Sequence, residues 1–105
     1  MMSFIKKLLG LESQEDLAAM VADGALLVDV RTPGEFQSGH VKGSINIPLD
    51  QLGSQLGKLK NSKNIVVFCQ SGTRSRMAKM LLQQKGFNNV VNGGTWKAIY
   101  RLMNT

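Results

Sequence analysis

The chain has one cysteine, Cys69, preceded by the apolar run Ile65-Val66-Val67-Phe68 and followed by Gln70-Ser71-Gly72-Thr73-Arg74-Ser75. A thiol in that place is either inert filler at the end of a buried strand or a nucleophile. The attacking species is the thiolate, and an ordinary cysteine with a pKa of about 8.5 is only about 3% ionised at pH 7. The free N–H groups of a helix's first turn and a nearby arginine both favour the ionised form. Residues 70–75 offer both. Gln70 to Ser75 bring backbone N–H donors, and Gly72 permits the backbone to curl around the sulfur. Ser71, Thr73 and Ser75 add small hydroxyls, and Arg74 adds charge, with Arg76 beyond it. A loop of this kind is shaped for an anion. With one cysteine and one histidine, the chain completes neither an intramolecular disulfide nor a zinc site.

Elements that would position this loop are legible along the chain. Ser13, followed by Glu15 and Asp16, reads as the N-cap of a helix carrying Leu17, Met20 and Val21 and ending near Gly24. Leu26 to Val30 is a strand, and Thr32-Pro33-Gly34-Glu35 is a capping box opening a short helix that Gly39 stops. Ser44 to Pro48 reads as a second strand, and Asp50 as the cap of a helix with Leu52, Leu56 and Leu59 on one side. Asn64 to Phe68 is the strand leading to the thiol. Ser75 to Lys85 follows as a helix with Met77, Met80, Leu81 and Leu82 on its apolar face, ended by Gly86. Asn89 to Val91 is a last strand, Gly93-Gly94 a turn, and Thr95 to Met103 a helix burying Trp96, Ile99, Tyr100 and Met103.

Runs such as Leu26-Leu27-Val28-Asp29-Val30 and Ile65 to Phe68 are apolar toward both faces, as parallel strands covered by helices are. The expected fold class is therefore α/β: a small, mostly parallel sheet in three layers with helices on both faces. The 105 residues suit one domain spanning 1–105, with residues 1–12 as an N-terminal extension. The stripe Phe4, Ile5, Leu8 and Leu9 in that extension reads as a short helix docked on the domain's own core. Ligands of such sheets bind at the carboxyl ends of the strands, where Cys69 falls.

Charge divides the chain. Residues 1–50 hold four basic and seven acidic side chains, whereas residues 51–105 hold nine basic and none acidic, so the second half attracts anions. Nucleic acid is not the expected partner, because the basic residues are dispersed and no recognition motif accompanies them. No stretch approaches the ~20 apolar residues of a membrane span, and the N-terminus lacks the apolar core of a signal peptide. The expected compartment is the cytoplasm, which keeps a lone thiol reduced.

Two segments together carry a resemblance to a known family. Cys69 to Ser75, CQSGTRS, resembles the active-site loop of rhodanese-like sulfurtransferases. Asp29 to Leu49, DVRTPGEFQSGHVKGSINIPL, resembles the family's second signature, and Gly86-Phe87 and Gly93-Gly94 also match. The resemblance runs from about Ser13 to Ile99 and is to a stand-alone, single-domain rhodanese. It implies a thiosulfate sulfurtransferase that moves a sulfane sulfur from thiosulfate or another persulfide donor through a Cys69 persulfide to a thiophilic acceptor, cyanide or a thiol. It implies no metal and no organic cofactor. The persulfide would rest on the N–H groups of Gln70 to Ser75, with Arg74 orienting the sulfonate of the donor. Phosphatases of similar fold carry a loop one residue longer than the six residues from Cys69 to Arg74. A Cys-dependent phosphatase or arsenate reductase is therefore the lesser alternative, and a sulfur-carrier or regulatory module without turnover is the other.

Ser71 departs from the best-known thiosulfate rhodaneses, some of which carry a basic residue there. An organic persulfide or an acidic protein, docked by the basic second half, thus stands beside the small anionic donor as a partner. Trp96 sits slightly off the usual aromatic position, read as a variation in packing. Asp29, Arg31, Glu35 and His40 are read as one supporting ion-pair and hydrogen-bond network rather than as chemical groups, and Met77, Met80, Trp96 and Tyr100 as core.

Overall fold

The computed structural model describes residues 13–104, and the expected extension at residues 1–12 lies outside them. Ser13 caps the first helix, α1 (Gln14–Ala22), its hydroxyl accepting from the Asp16 amide. Strand β1 (Leu26–Asp29) leads to α2 (Pro33–Gln37), whose Thr32 and Glu35 complete both halves of the capping box. After the short β2 (Ile45–Asn46) and two 3-10 turns, β3 (Ile65–Cys69) runs into α3 (Thr73–Gln84), and β4 (Val90–Thr95) into α4 (Trp96–Met103).

All four strands are parallel, in the order β2-β1-β3-β4. The chain leaves β1 toward β2 on one side and later returns to β3 on the other. The switch point lies between the carboxyl ends of β1 and β3, where an α/β sheet opens its binding crevice. Strand alternation sends Val28, Ile65, Val67 and Cys69 to one face, packed with Leu52, Leu59, Ala78 and Leu82. It sends Leu27, Val66 and Phe68 to the other, packed with Leu17, Val41 and Ile99. The expected three-layer α/β fold is present.

Several local expectations give way to packing. The stretch after Pro48 forms 3-10 turns, Leu49–Ser54 and Leu56–Leu59, and no side chain caps the first. Gly53 and Gly57 lower helix propensity there, yet Leu52 and Leu59 still reach the core. Gly93-Gly94 lies inside β4 rather than in a turn: the pairing of Val67 with Asn92 jumps to Phe68 with Gly94, leaving Gly93 as a bulge. Met77 (51% exposed), Met80 (55%), Tyr100 (48%) and Met103 (42%) are surface residues, not core. Leu82 and Ile99 are buried as expected, Leu81 and Trp96 pack partly against the core, and Ser75 and Ala78 complete the core side of α3, because each helix presents only a narrow stripe to the sheet.

Gly93 shows how tight the bulge is. A Cβ there would lie 2.8 Å from Val66 Cγ1 and 3.1 Å from Ile99 Cδ1. Gly93→Ala is expected to lower stability by about 1–3 kcal/mol, since the stiff Val66 cannot turn aside. Gly57→Ala, whose Cβ enters open space, is expected to stay within about 0.5 kcal/mol. Urea unfolding of both variants checks the contrast.

Candidate functional site

Cys69 closes β3, and the three residues after it turn into α3. Gly72, the N-cap of that helix, has φ +99° and no capping side chain. An N-cap side chain normally accepts from the amides of the first turn. Here the sulfur does so: Cys69 Sγ accepts from Gly72 N–H at 3.0 Å and from Ser75 N–H at 3.4 Å. Ser75 Oγ lies 3.6 Å from the sulfur, within reach as acceptor from the thiol or, after ionisation, as donor to the thiolate.

The sulfur does not stand in an open cradle. Cys69 has no exposed surface and belongs to the apolar cluster on its face of the sheet. Burial pushes the thiol's pKa up, but the Ser75 hydroxyl and the amides of Ser75, Gly72 and Ser71 outweigh it and hold the thiol below its ordinary value. Those polar donors separate Cys69 from core filler. Gln70 and Ser71, the next two residues of the loop, are exposed at the surface.

Ser75 is fixed from below by a residue the sequence reading missed. Asn92, 1% exposed in β4, accepts from Gly94 N–H at 2.9 Å through Oδ1, and the same oxygen lies 2.7 Å from Ser75 Oγ. The backbone donor settles which end of the amide faces Ser75. A polar residue between Val90-Val91 and a diglycine was the available signal, because an asparagine among strand hydrophobes must satisfy its amide inside.

The remaining expected residues form two separate pairs, with His40 outside both, instead of one network. Asp29 and Arg31 form a buried pair: Arg31 Nε donates to both carboxylate oxygens at 2.9 and 3.0 Å, and Nη2 to Oδ2 at 2.8 Å. Arg31 Nη2 also donates to the Gly39 carbonyl at 2.7 Å, tying the carboxyl end of β1 to the turn after α2. Glu35 belongs elsewhere. It reaches across to Arg74, which donates from Nη1 and Nη2 to its two oxygens at 2.7 and 3.0 Å. Arg74 is therefore occupied by a carboxylate rather than presented to a donor's sulfonate, while its charge still acts on Cys69 through space. His40 joins neither pair: Nδ1 donates to the Phe36 carbonyl at 2.8 Å, and its ring stacks on Phe36.

Among the loop side chains, Gln70 turns outward and accepts from Trp96 Nε1 at 3.1 Å. Trp96, expected in the core, thus borders the loop, with the Arg31 guanidinium 4.7 Å from its ring centroid. The exposed hydroxyls of Ser71 and Thr73 make no hydrogen bond to the sulfur. Among the described residues, no group of three or more His, Cys, Asp or Glu side chains is arranged to hold a metal ion, and no helix is long and apolar enough to cross a membrane.

The chain is similar to known proteins in both sequence and fold. Residues 13–99 match the rhodanese-like domain family. Thiosulfate sulfurtransferase PspE of Escherichia coli is 38% identical over 74 residues, 69% of this chain and 71% of that protein. Thiosulfate sulfurtransferase GlpE of Pseudomonas savastanoi is 36% identical over 90 residues, 82% of this chain and 85% of that protein. The uncharacterized protein YqhL of Bacillus subtilis is 38% identical over 68 residues, and there the match spans about half of the relative's length (54%). Among solved structures, the human single-domain sulfurtransferase TSTD1 superposes with a TM-score of 0.70 at 26% identity, covering 88% of this chain and 96% of that one.

The Glu35–Arg74 pair sets an acid limit. Arg74 and the Thr32 amide lower the Glu35 pKa from 4.5 to about 2. A folded-state pKa below the unfolded one gives stability that is fully present above the unfolded value and is lost as pH falls through the folded value. Both side chains are one-third exposed, so solvent screening holds the contribution to about 1 kcal/mol. Glu35→Gln is expected to be less stable than the parent by that amount at pH 6. The gap should shrink between pH 4.5 and about 2 and close below; unfolding curves across this range measure it.

Proposed function

Because the chain belongs to the rhodanese-like domain family, we propose that it is a sulfurtransferase working through a persulfide on Cys69. The observation that carries this reading is the sulfur's place as acceptor of the Gly72 and Ser75 amides. Donors already aimed at a thiolate are also aimed at the charge of a persulfide and need no reorganisation when it forms. The Cys69 thiolate attacks the outer sulfur of thiosulfate, a new S–S bond forms, and the donor's own S–S bond breaks with its electron pair leaving on sulfite. Cyanide then attacks the outer sulfur of the persulfide, giving thiocyanate and returning the electron pair to Cys69. A covalent intermediate of this kind makes the kinetics ping-pong.

In this reading Ser75 and Asn92 are positioning residues, and Arg74 braces the loop through Glu35 while adding positive potential. Anionic donors suit the basic second half. We read the chain as one such domain, in a reducing compartment such as the cytoplasm, where the thiol stays free.

One observation favours a second reading. The sulfur has no exposed surface, which suits a carrier that holds its persulfide shielded and yields it only to a partner that opens residues 70–72. Mass spectrometry of the intact protein after thiosulfate treatment, paired with a thiocyanate assay, tests both. The expected result is a gain of one sulfur atom's mass, lost in Cys69→Ser, together with thiocyanate formed on adding cyanide. A persistent persulfide without thiocyanate would select the carrier, and no mass gain from thiosulfate or from an organic persulfide would overturn both.

A further inference from the structure

Between the turn at Gly39-His40 and the outer side of α4 lies a groove of about 440 Å³, walled by Gly39, His40, Trp96, Lys97, Tyr100 and Arg101. Its apolar side is built from Trp96 and Tyr100, one helical turn apart and packed edge to face with centroids 6.2 Å apart. Trp96 is held from behind by the Arg31 guanidinium and by Gly39, where a Cβ would come within 3.3 Å of the indole. Lys97 and Arg101, also one turn apart, are exposed along the same helix. No carboxylate lines the groove, and among the described residues neither cation has an acidic partner. The groove also adjoins the thiol loop, because Trp96 donates its indole N–H to Gln70, the residue next to Cys69.

Thiosulfate and cyanide leave such a space unused: sites of ~300–1,000 Å³ take molecules of drug size. We propose that this groove binds the anionic body of a low-molecular-weight thiol that takes the sulfur from Cys69, its carboxylates or phosphates on Lys97 and Arg101 and its apolar part on Trp96 and Tyr100. The proposal rests on the persulfide reading above. The bound molecule's thiolate attacks the outer sulfur of Cys69–S–SH, forming an S–S bond to it. The bond to Cys69 breaks, its electron pair stays on Cys69 as thiolate, and the proton remains on the transferred sulfur. The acceptor leaves as its own persulfide.

Trp96 is the only tryptophan, so its fluorescence reports occupancy of the groove without any turnover. The full chain is titrated with coenzyme A, with glutathione and with neutral 2-mercaptoethanol, and the same three serve as acceptors after thiosulfate loading. The expected result is saturable quenching by an anionic thiol and none by 2-mercaptoethanol, coenzyme A and glutathione separating phosphate from carboxylate recognition. In Lys97→Glu/Arg101→Glu, two surface changes away from the core, the KM for the anionic thiol relative to that for 2-mercaptoethanol should rise about tenfold, the loss of about 1.4 kcal/mol of binding. Absence of saturable quenching, or an unchanged KM ratio in the variant, overturns the groove proposal. Failure of the persulfide reading shows separately, as no sulfur gained on Cys69.

Discussion

The sulfur of Cys69 occupies the place that a serine, threonine or aspartate side chain takes at the start of an ordinary helix. Gly72 brings no side chain to cap α3, and its own amide and that of Ser75 in the first turn donate to Sγ instead. This single substitution joins the end of β3 to the start of α3 and makes the helix's positive end the sulfur's immediate surroundings. The thiol experiences two opposed effects. Burial favours the neutral form, whereas the hydroxyl and amides favour the ion, and the net shift is toward the ion. A cysteine equally buried but without those donors would be pushed the other way and would be inert.

The rest of the fold serves to keep these donors in place. The bulge at Gly93 turns Asn92 inward beneath Ser75, so the hydroxyl beside the sulfur is oriented from β4. The Glu35–Arg74 pair ties the first turn of α3 to α2, and the buried Asp29–Arg31 pair ties the end of β1 to the turn that carries Gly39. These pairs differ in kind. The exposed one contributes little and is screened, whereas breaking the buried one would strand a charge in the interior. Arg31 has a second role, because its guanidinium backs the indole of Trp96, which meets the thiol loop at Gln70.

What the sequence revealed and what it hid follow from the range of the interactions involved. Caps, strands and the thiol loop depend on neighbours a few residues apart, so Ser13, the Thr32–Glu35 box, the run Ile65 to Phe68 and Gly86 were all readable in the chain. Interactions between distant segments were not. Nothing near Arg74 announces that Glu35, 39 residues earlier, will occupy its guanidinium, nor does Gly93-Gly94 show by itself that β4 continues through it. Apolar spacing on α3 suggested that Met77 and Met80 face inward, yet the sheet accepts only Ser75, Ala78 and Leu82 from that helix. The same spacing puts Trp96 on the buried side of α4, and it does pack partly against the core, but its indole N–H reaches the loop at Gln70. The full burial of Cys69 was also invisible, since it depends on packing with distant Leu52, Leu59, Ala78 and Leu82.

The proposed chemistry depends on the ionisation of one sulfur. The most direct measurement is the rate at which iodoacetamide alkylates Cys69 as a function of pH, read alongside the thiolate's ultraviolet absorbance. A titration midpoint below the value of about 8.5 for an ordinary cysteine, moving upward in Ser75→Ala, is the predicted result. A midpoint at or above the ordinary value in the parent protein would contradict it, for burial would then have prevailed over the helix's amides.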